Sequence, residues 1–148
     1  MHLFTAQIGK YRGPDAFDVT VKSGNPAFAP TWDLVRAWKS GKIDWDIYTQ
    51  RYRQLMLQSY RKDPGLWHEL LHRGIVTLLC YCRAGEQCHR YLLANFLRKL
   101  GEREGVVVVL EGERTPQTGV REKGTKSSGK LQQSAPPQTS LFQTAHPE

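Results

Sequence analysis

The run Ile75-Val-Thr-Leu-Leu-Cys-Tyr81, apolar almost throughout, constrains the fold more than any other part of this chain. A strand with one wet face alternates apolar and polar side chains, whereas a continuously apolar strand is covered on both faces and belongs to the parallel sheet of an α/β protein. The segment that follows has a matching character. Residues 80–90, Cys-Tyr-Cys-Arg-Ala-Gly-Glu-Gln-Cys-His-Arg, gather all three cysteines of the chain with Arg83, His89, Arg90 and a turn glycine. Beyond them Leu92, Leu93, Phe96, Leu97 and Leu100 recur at helical spacing. A strand that feeds a helix through such a turn sets the turn at the carboxyl edge of the sheet, where open α/β folds bind ligands.

The remaining punctuation fills in the architecture. Residues 2–8 alternate and suit a first strand, and Phe17 to Val21 suits a shorter second one. Thr31 can cap a helix from Trp32 to about Lys39, closed by Gly41. Asp44 caps a second, in which Trp45, Tyr48, Tyr52, Leu55 and Met56 share a face, and Asp63-Pro64 starts a third that ends at Gly74. Gly101 stands where the left-handed C-terminal residue of the last helix is expected, and Gly105 to Glu111 forms the closing strand. The connection from Ile75 to Glu111 is then a right-handed parallel crossover. The predicted fold is a small three-layer α/β sandwich, Rossmann-like, with a mainly parallel sheet and helices on both faces.

Composition bounds the domain count and the compartment. With 148 residues and 39% hydrophobic content, the chain supports one domain with a real core, assigned to residues 1–112. From 113 to 148 the sequence turns to Thr, Gln, Ser, Gly and Pro, too polar to bury the surface that would offset its ordering entropy, so a disordered basic and polar tail is expected. That tail holds five Lys or Arg against three Glu, which leaves most of the net +7 in the domain. No run of about eighteen apolar residues offers a membrane span, and the first residues lack a secretory pattern. Three thiols bunched in one loop are not a disulfide framework, which points to reduced cysteines and a cytoplasmic location.

The loop supplies the chemistry. Thiolate is the reactive form of cysteine and is favoured at a helix N-terminus or beside Arg, so Cys82 and Cys88 are candidate nucleophiles, with His89 as candidate base. Equally, Cys80 and Cys88 can be small buried hydrophobes, and His89 can satisfy a buried carbonyl. The seven residues between Cys82 and Arg90 exceed the spacing of cysteine phosphatases, where five residues separate the nucleophile from its arginine. An anion held without a covalent step fits better: Arg83, Arg90 and the helix amides are assigned to a phosphate-bearing ligand, a nucleotide or nucleic-acid component, with Lys10 and Arg12 placed at the same sheet edge. Cys80, Cys82, Cys88 and His89 also add up to a four-ligand set. A Cys-x-Cys pair joined to an adjacent Cys-His pair strains a tetrahedron, however, and no metal or other cofactor is expected. The aromatic residues Trp32, Trp38, Trp45, Tyr48, Tyr52 and Trp67 can stack bases near Arg51, Arg53 and Arg61, but their helical spacing favours packing.

Several of these blocks occur together in one family. Ala29-Pro30-Thr31, Gly41-Lys42-Ile43-Asp44-Trp45 with Tyr48 and Tyr52, Thr77 to Cys82, and Cys88-His89-Arg90-Tyr91-Leu92-Leu93-Ala94 resemble the domain of unknown function 488 (DUF488), in its YeaO-like branch. The resemblance spans about residues 1–112 and implies a compact α/β domain of bacterial and phage proteins with no established reaction. Its pattern maps onto Cys80, Cys88, His89 and Arg90, with Cys82 and Arg83 in a more variable loop. A binding enzyme acting at this loop, a noncatalytic nucleic-acid- or protein-binding domain using its basic surface, and a Cys/His metal protein are the three functions open at this level.

Overall fold

The computed structural model describes residues 1–116; the tail expected to be disordered lies outside the described residues from 117 onward. In chain order the elements are β1 (His2–Gln7), β2 (Ala16–Asp18), α1 (Trp32–Lys39), α2 (Trp45–Lys62), α3 (Pro64–Leu71), β3 (Ile75–Cys80), α4 (His89–Glu104) and β4 (Val109–Arg114). All strands are parallel, in the order β2-β3-β1-β4, which gives the expected small α/β sandwich.

The strand order decides which face each connection crosses. Steps from β2 to β3 and from β3 to β4 run the same way along the sheet, so right-handed crossovers carry their helices over one face. The step from β1 to β2 runs the opposite way and crosses the other face. Side-chain packing agrees. Leu3, Val76 and Leu78 join Leu34, Tyr52, Trp67 and Leu97 in one hydrophobic cluster that draws on all four helices. On alternate positions, Phe4 lies 3.8 Å from the Arg114 guanidinium and Thr77 donates its hydroxyl to Asp15 at 2.5 Å. Of the two covers that the apolar β3 requires, only one is helical; the helices expected on both faces lie on one, and the other face is covered by Arg114 of β4 at Phe4 and by Asp15 of the β1–β2 loop at Thr77.

Local signals explain the helix starts. Thr31 Oγ1 accepts from the Leu34 amide at 3.2 Å, Asp44 Oδ1 from Ile47 at 2.8 Å, and Asp63 Oδ1 from Leu66 at 3.1 Å. Two boundaries move. Gly101 is not a helix terminus but a buried residue of α4, where a Cβ would stand 2.5 Å from the Val106 carbonyl oxygen; the left-handed cap is Gly105, at φ 72°. β4 runs on to Arg114, so the folded unit extends past residue 112. Sequence signals stop short there because Glu111, Gly112 and Glu113 do not look like strand residues.

Candidate functional site

At the carboxyl ends of β1 and β3 the chain departs toward opposite faces, and a crevice of this kind is the usual ligand position in such sheets. Gln7 and Cys80, register partners at these ends, both line a cavity of about 410 Å³. Trp32 and Trp38 from α1 and Trp45 and Tyr48 from α2 add aromatic wall, and the exposed cations Lys22, Lys39 and Arg83 border it. The Lys39 ammonium sits 5.5 Å from the Trp38 ring centroid. Cys80, Cys82, Cys88 and His89 complete the lining.

The three thiols converge because each occupies a position that the fold fixes. Cys80 ends β3, Cys82 lies two residues beyond the strand, and Cys88 is the N-cap of α4. Gly85, at φ 80°, turns the intervening loop back on itself. All three Sγ atoms lie within 4.8 Å of one another, with Cys80 and Cys82 at 3.9 Å. Hydrogen bonds from the Cys80 and Cys88 thiols, aided by the nearby Arg90 guanidinium, hold the Cys82 thiol well below its usual pKa, while Cys80 and Cys88 are pushed up. Cys82 is also the least buried of the three. In reduced, metal-free protein at about pH 6, where an ordinary thiol with a pKa of roughly 8.5 is protonated, Cys82 is therefore expected to be alkylated by iodoacetamide first. Peptide mass spectrometry reads the order, and earlier labelling of Cys80 or Cys88 would refute it.

The side chains that follow Cys88 are held by backbone and side-chain partners. His89 Nε2 meets the Val19 carbonyl at 2.7 Å, so this nitrogen carries the proton; Nδ1 is left 3.9 Å from Cys88 Sγ. Burial lowers the His89 pKa, and the ring is neutral. The four-ligand set of three cysteines and His89 that the sequence offered as an alternative thus reduces to three converging sulfurs, with His89 tied to the end of β2.

Arg90 is fully buried, and both of its terminal nitrogens are committed, while Nε has no partner. Nη1 reaches Cys82 O at 2.9 Å and Cys88 Sγ at 3.6 Å; Nη2 reaches Arg83 O at 3.2 Å, Tyr91 Oη at 2.8 Å and Glu113 Oε1 at 3.0 Å. The assignment of Arg90 to an anionic ligand does not fit this geometry: the side chain clamps the loop carbonyls of residues 82 and 83. Glu113, assigned from composition to the tail, is its counterion and also accepts from Thr5 at 2.5 Å and Tyr91 at 3.1 Å. Arg83 does border the cavity. Lys10 and Arg12 are exposed and outside its lining, because the loop from β1 to β2 crosses the opposite face.

The aromatic residues divide. Trp45, Tyr48 and Tyr52 form a ladder toward His89, with centroids 4.8 Å, 6.4 Å and 5.6 Å apart in turn, and Tyr52 donates to Phe28 O at 2.7 Å. Tyr48 and Tyr52 are buried, as helical spacing requires, yet the same helix face presents Trp45 and an edge of Tyr48 to the cavity. Sequence reasoning missed Lys22, Lys39 and Glu113. The parallel order of β2 was the available signal for Lys22, since it carries the residues after that strand to the same edge. Arg53 belongs to a separate groove of about 470 Å³ that it shares with Arg98, Lys99 and Arg103. Among the described residues no helix is long and apolar enough to cross a membrane.

Residues 8–101 match the model of a protein family described as the active DUF488-N3 subclade. That stretch contains the aromatic wall, the three cysteines and the start of α4, and it stops before Glu113. No curated protein and no solved structure matches the chain.

Proposed function

We propose, for a chain that belongs to the DUF488 family, that the cavity at the carboxyl edge of the sheet binds a phosphate-bearing ligand with a planar base, a nucleotide or a short piece of single-stranded nucleic acid. The observation that carries this reading is the meeting of Trp32, Trp38 and Trp45 with Lys22, Lys39 and Arg83 around one cavity. A base stacks on an aromatic face whatever its sequence, and exposed cations hold phosphate without specifying it. The volume of about 410 Å³ suits a nucleotide-sized ligand. Arg83 and the lysines take the part first assigned to Arg90, and Cys82, the least buried of the three thiols in the lining, is the residue for any covalent chemistry.

The test uses the reduced, chelator-treated full chain titrated with nucleoside monophosphates, nucleoside diphosphates and short oligonucleotides, read by tryptophan fluorescence. Saturable quenching is expected for some of these and not for inorganic phosphate at the same concentration, since phosphate alone does not engage the wall. Lys22→Ala and Arg83→Ala should each weaken binding roughly tenfold and flatten its salt dependence. Binding that ignores both changes would overturn the reading, and binding that follows Arg53→Ala instead would overturn it by placing the ligand on the α2–α4 groove.

A further inference from the structure

We propose that Cys80, Cys82 and Cys88 bind one zinc ion through three thiolates, leaving its fourth coordination position open to the cavity. This goes beyond the ligand reading and does not depend on it. The sulfurs come from three separately fixed backbone positions: a strand end, the residue after the following one, and a helix N-cap. They nevertheless converge to within 4.8 Å of one another. A tetrahedral zinc with Zn–S bonds near 2.3 Å needs sulfur–sulfur edges of roughly 3.8 Å, and Cys80 and Cys82 already stand 3.9 Å apart. Side-chain rotation at Cys88 is the adjustment required to close the triangle. Among the described residues, no other group of His, Cys, Asp or Glu ligand atoms is gathered in this way.

The surroundings of the sulfurs fit the same role. Three thiolates around a divalent ion carry a net negative charge, and the Arg90 guanidinium lies 3.6 Å from Cys88 Sγ while fixing the Cys82 carbonyl at 2.9 Å. Outer groups of this sort orient ligands and tune the metal. His89, adjacent to Cys88, keeps its Nε2 on the Val19 carbonyl and does not close the set. Three protein ligands with a free fourth place is the arrangement of catalytic zinc sites, whereas structural sites are closed by four. Soft thiolates select zinc or copper(I) over the hard divalent ions.

The experiment measures metal in the reduced full-length chain after chelation and reconstitution with zinc alone, followed by replacement with cobalt(II). Retention of one zinc per chain after gel filtration is expected, together with strong thiolate-to-cobalt charge-transfer absorption. Cys82→Ser, which alters a half-exposed loop residue, should stay folded by circular dichroism and lose both. Substoichiometric zinc in the reconstituted wild type, zinc retained undiminished by Cys82→Ser, or binding of copper(I) with none of zinc would each overturn the site. Nucleotide quenching is measured on the chelated protein, so a failure of the zinc site leaves the ligand reading intact, and the reverse holds as well.

Discussion

Arg90→Ala is expected to lower the unfolding free energy by about 3–5 kcal/mol, the cost of removing one partner from a buried ion pair. The guanidinium is wholly buried and contacts two loop carbonyls, the Cys88 sulfur, the Tyr91 hydroxyl and the Glu113 carboxylate. Deleting it strands Glu113, whose side chain is only 17% exposed, and leaves the carbonyls of Cys82 and Arg83 without this donor. Glu113→Gln keeps an oxygen acceptor for Thr5 and Tyr91 and should cost less, about 1–3 kcal/mol. The double change should cost less than the two single effects added together, since it removes both charges at once. Urea unfolding of the four proteins measures this cycle. An Arg90→Ala protein within about 1 kcal/mol of wild type would mean that the arginine is no clamp and is free to meet a ligand.

The same residue shows how far the sequence could be read. Its importance was legible: Cys88-His89-Arg90 after an apolar strand marks a helix start at a sheet edge, and the match to residues 8–101 covers it. Its role was not, because a buried arginine and an anion-binding arginine look alike until the partner is seen, and Glu113 lies 23 residues away in a segment of tail-like composition. The helices and strands were legible because each carries its own cap or its own period. Thr31, Asp44 and Asp63 all cap as expected. Lys10 and Arg12 failed on topology, since the face a crossover takes depends on strand order, which no local pattern encodes. The convergence of the thiols was not legible either: their spacing in sequence does not show that the turn at Gly85 returns Cys88 to the end of β3.

Two tryptophans that the sequence pattern placed in one class are expected to behave in opposite ways. Trp67 is completely buried, with ring centroids 4.6 Å from Phe28 and 5.1 Å from Phe96, and its indole nitrogen donates to Ser59 at 3.1 Å. Trp67→Ala removes the centre of the cluster between α3 and α4 and should cost about 3–5 kcal/mol, because a rigid aromatic surround relaxes only partly into the space left behind. Trp32 is the first residue of α1, 52% exposed and part of the cavity wall. Trp32→Ala should shift stability by about 0.5 kcal/mol or less, as surface changes usually do, yet it removes a stacking face worth roughly 1–3 kcal/mol per base. Denaturation and nucleotide titration of both variants therefore give crossed outcomes: Trp67→Ala loses stability, and Trp32→Ala loses affinity at unchanged stability. Equal losses of stability in the two would make the whole aromatic set core, and the cavity would then lack the surface on which a base is proposed to rest.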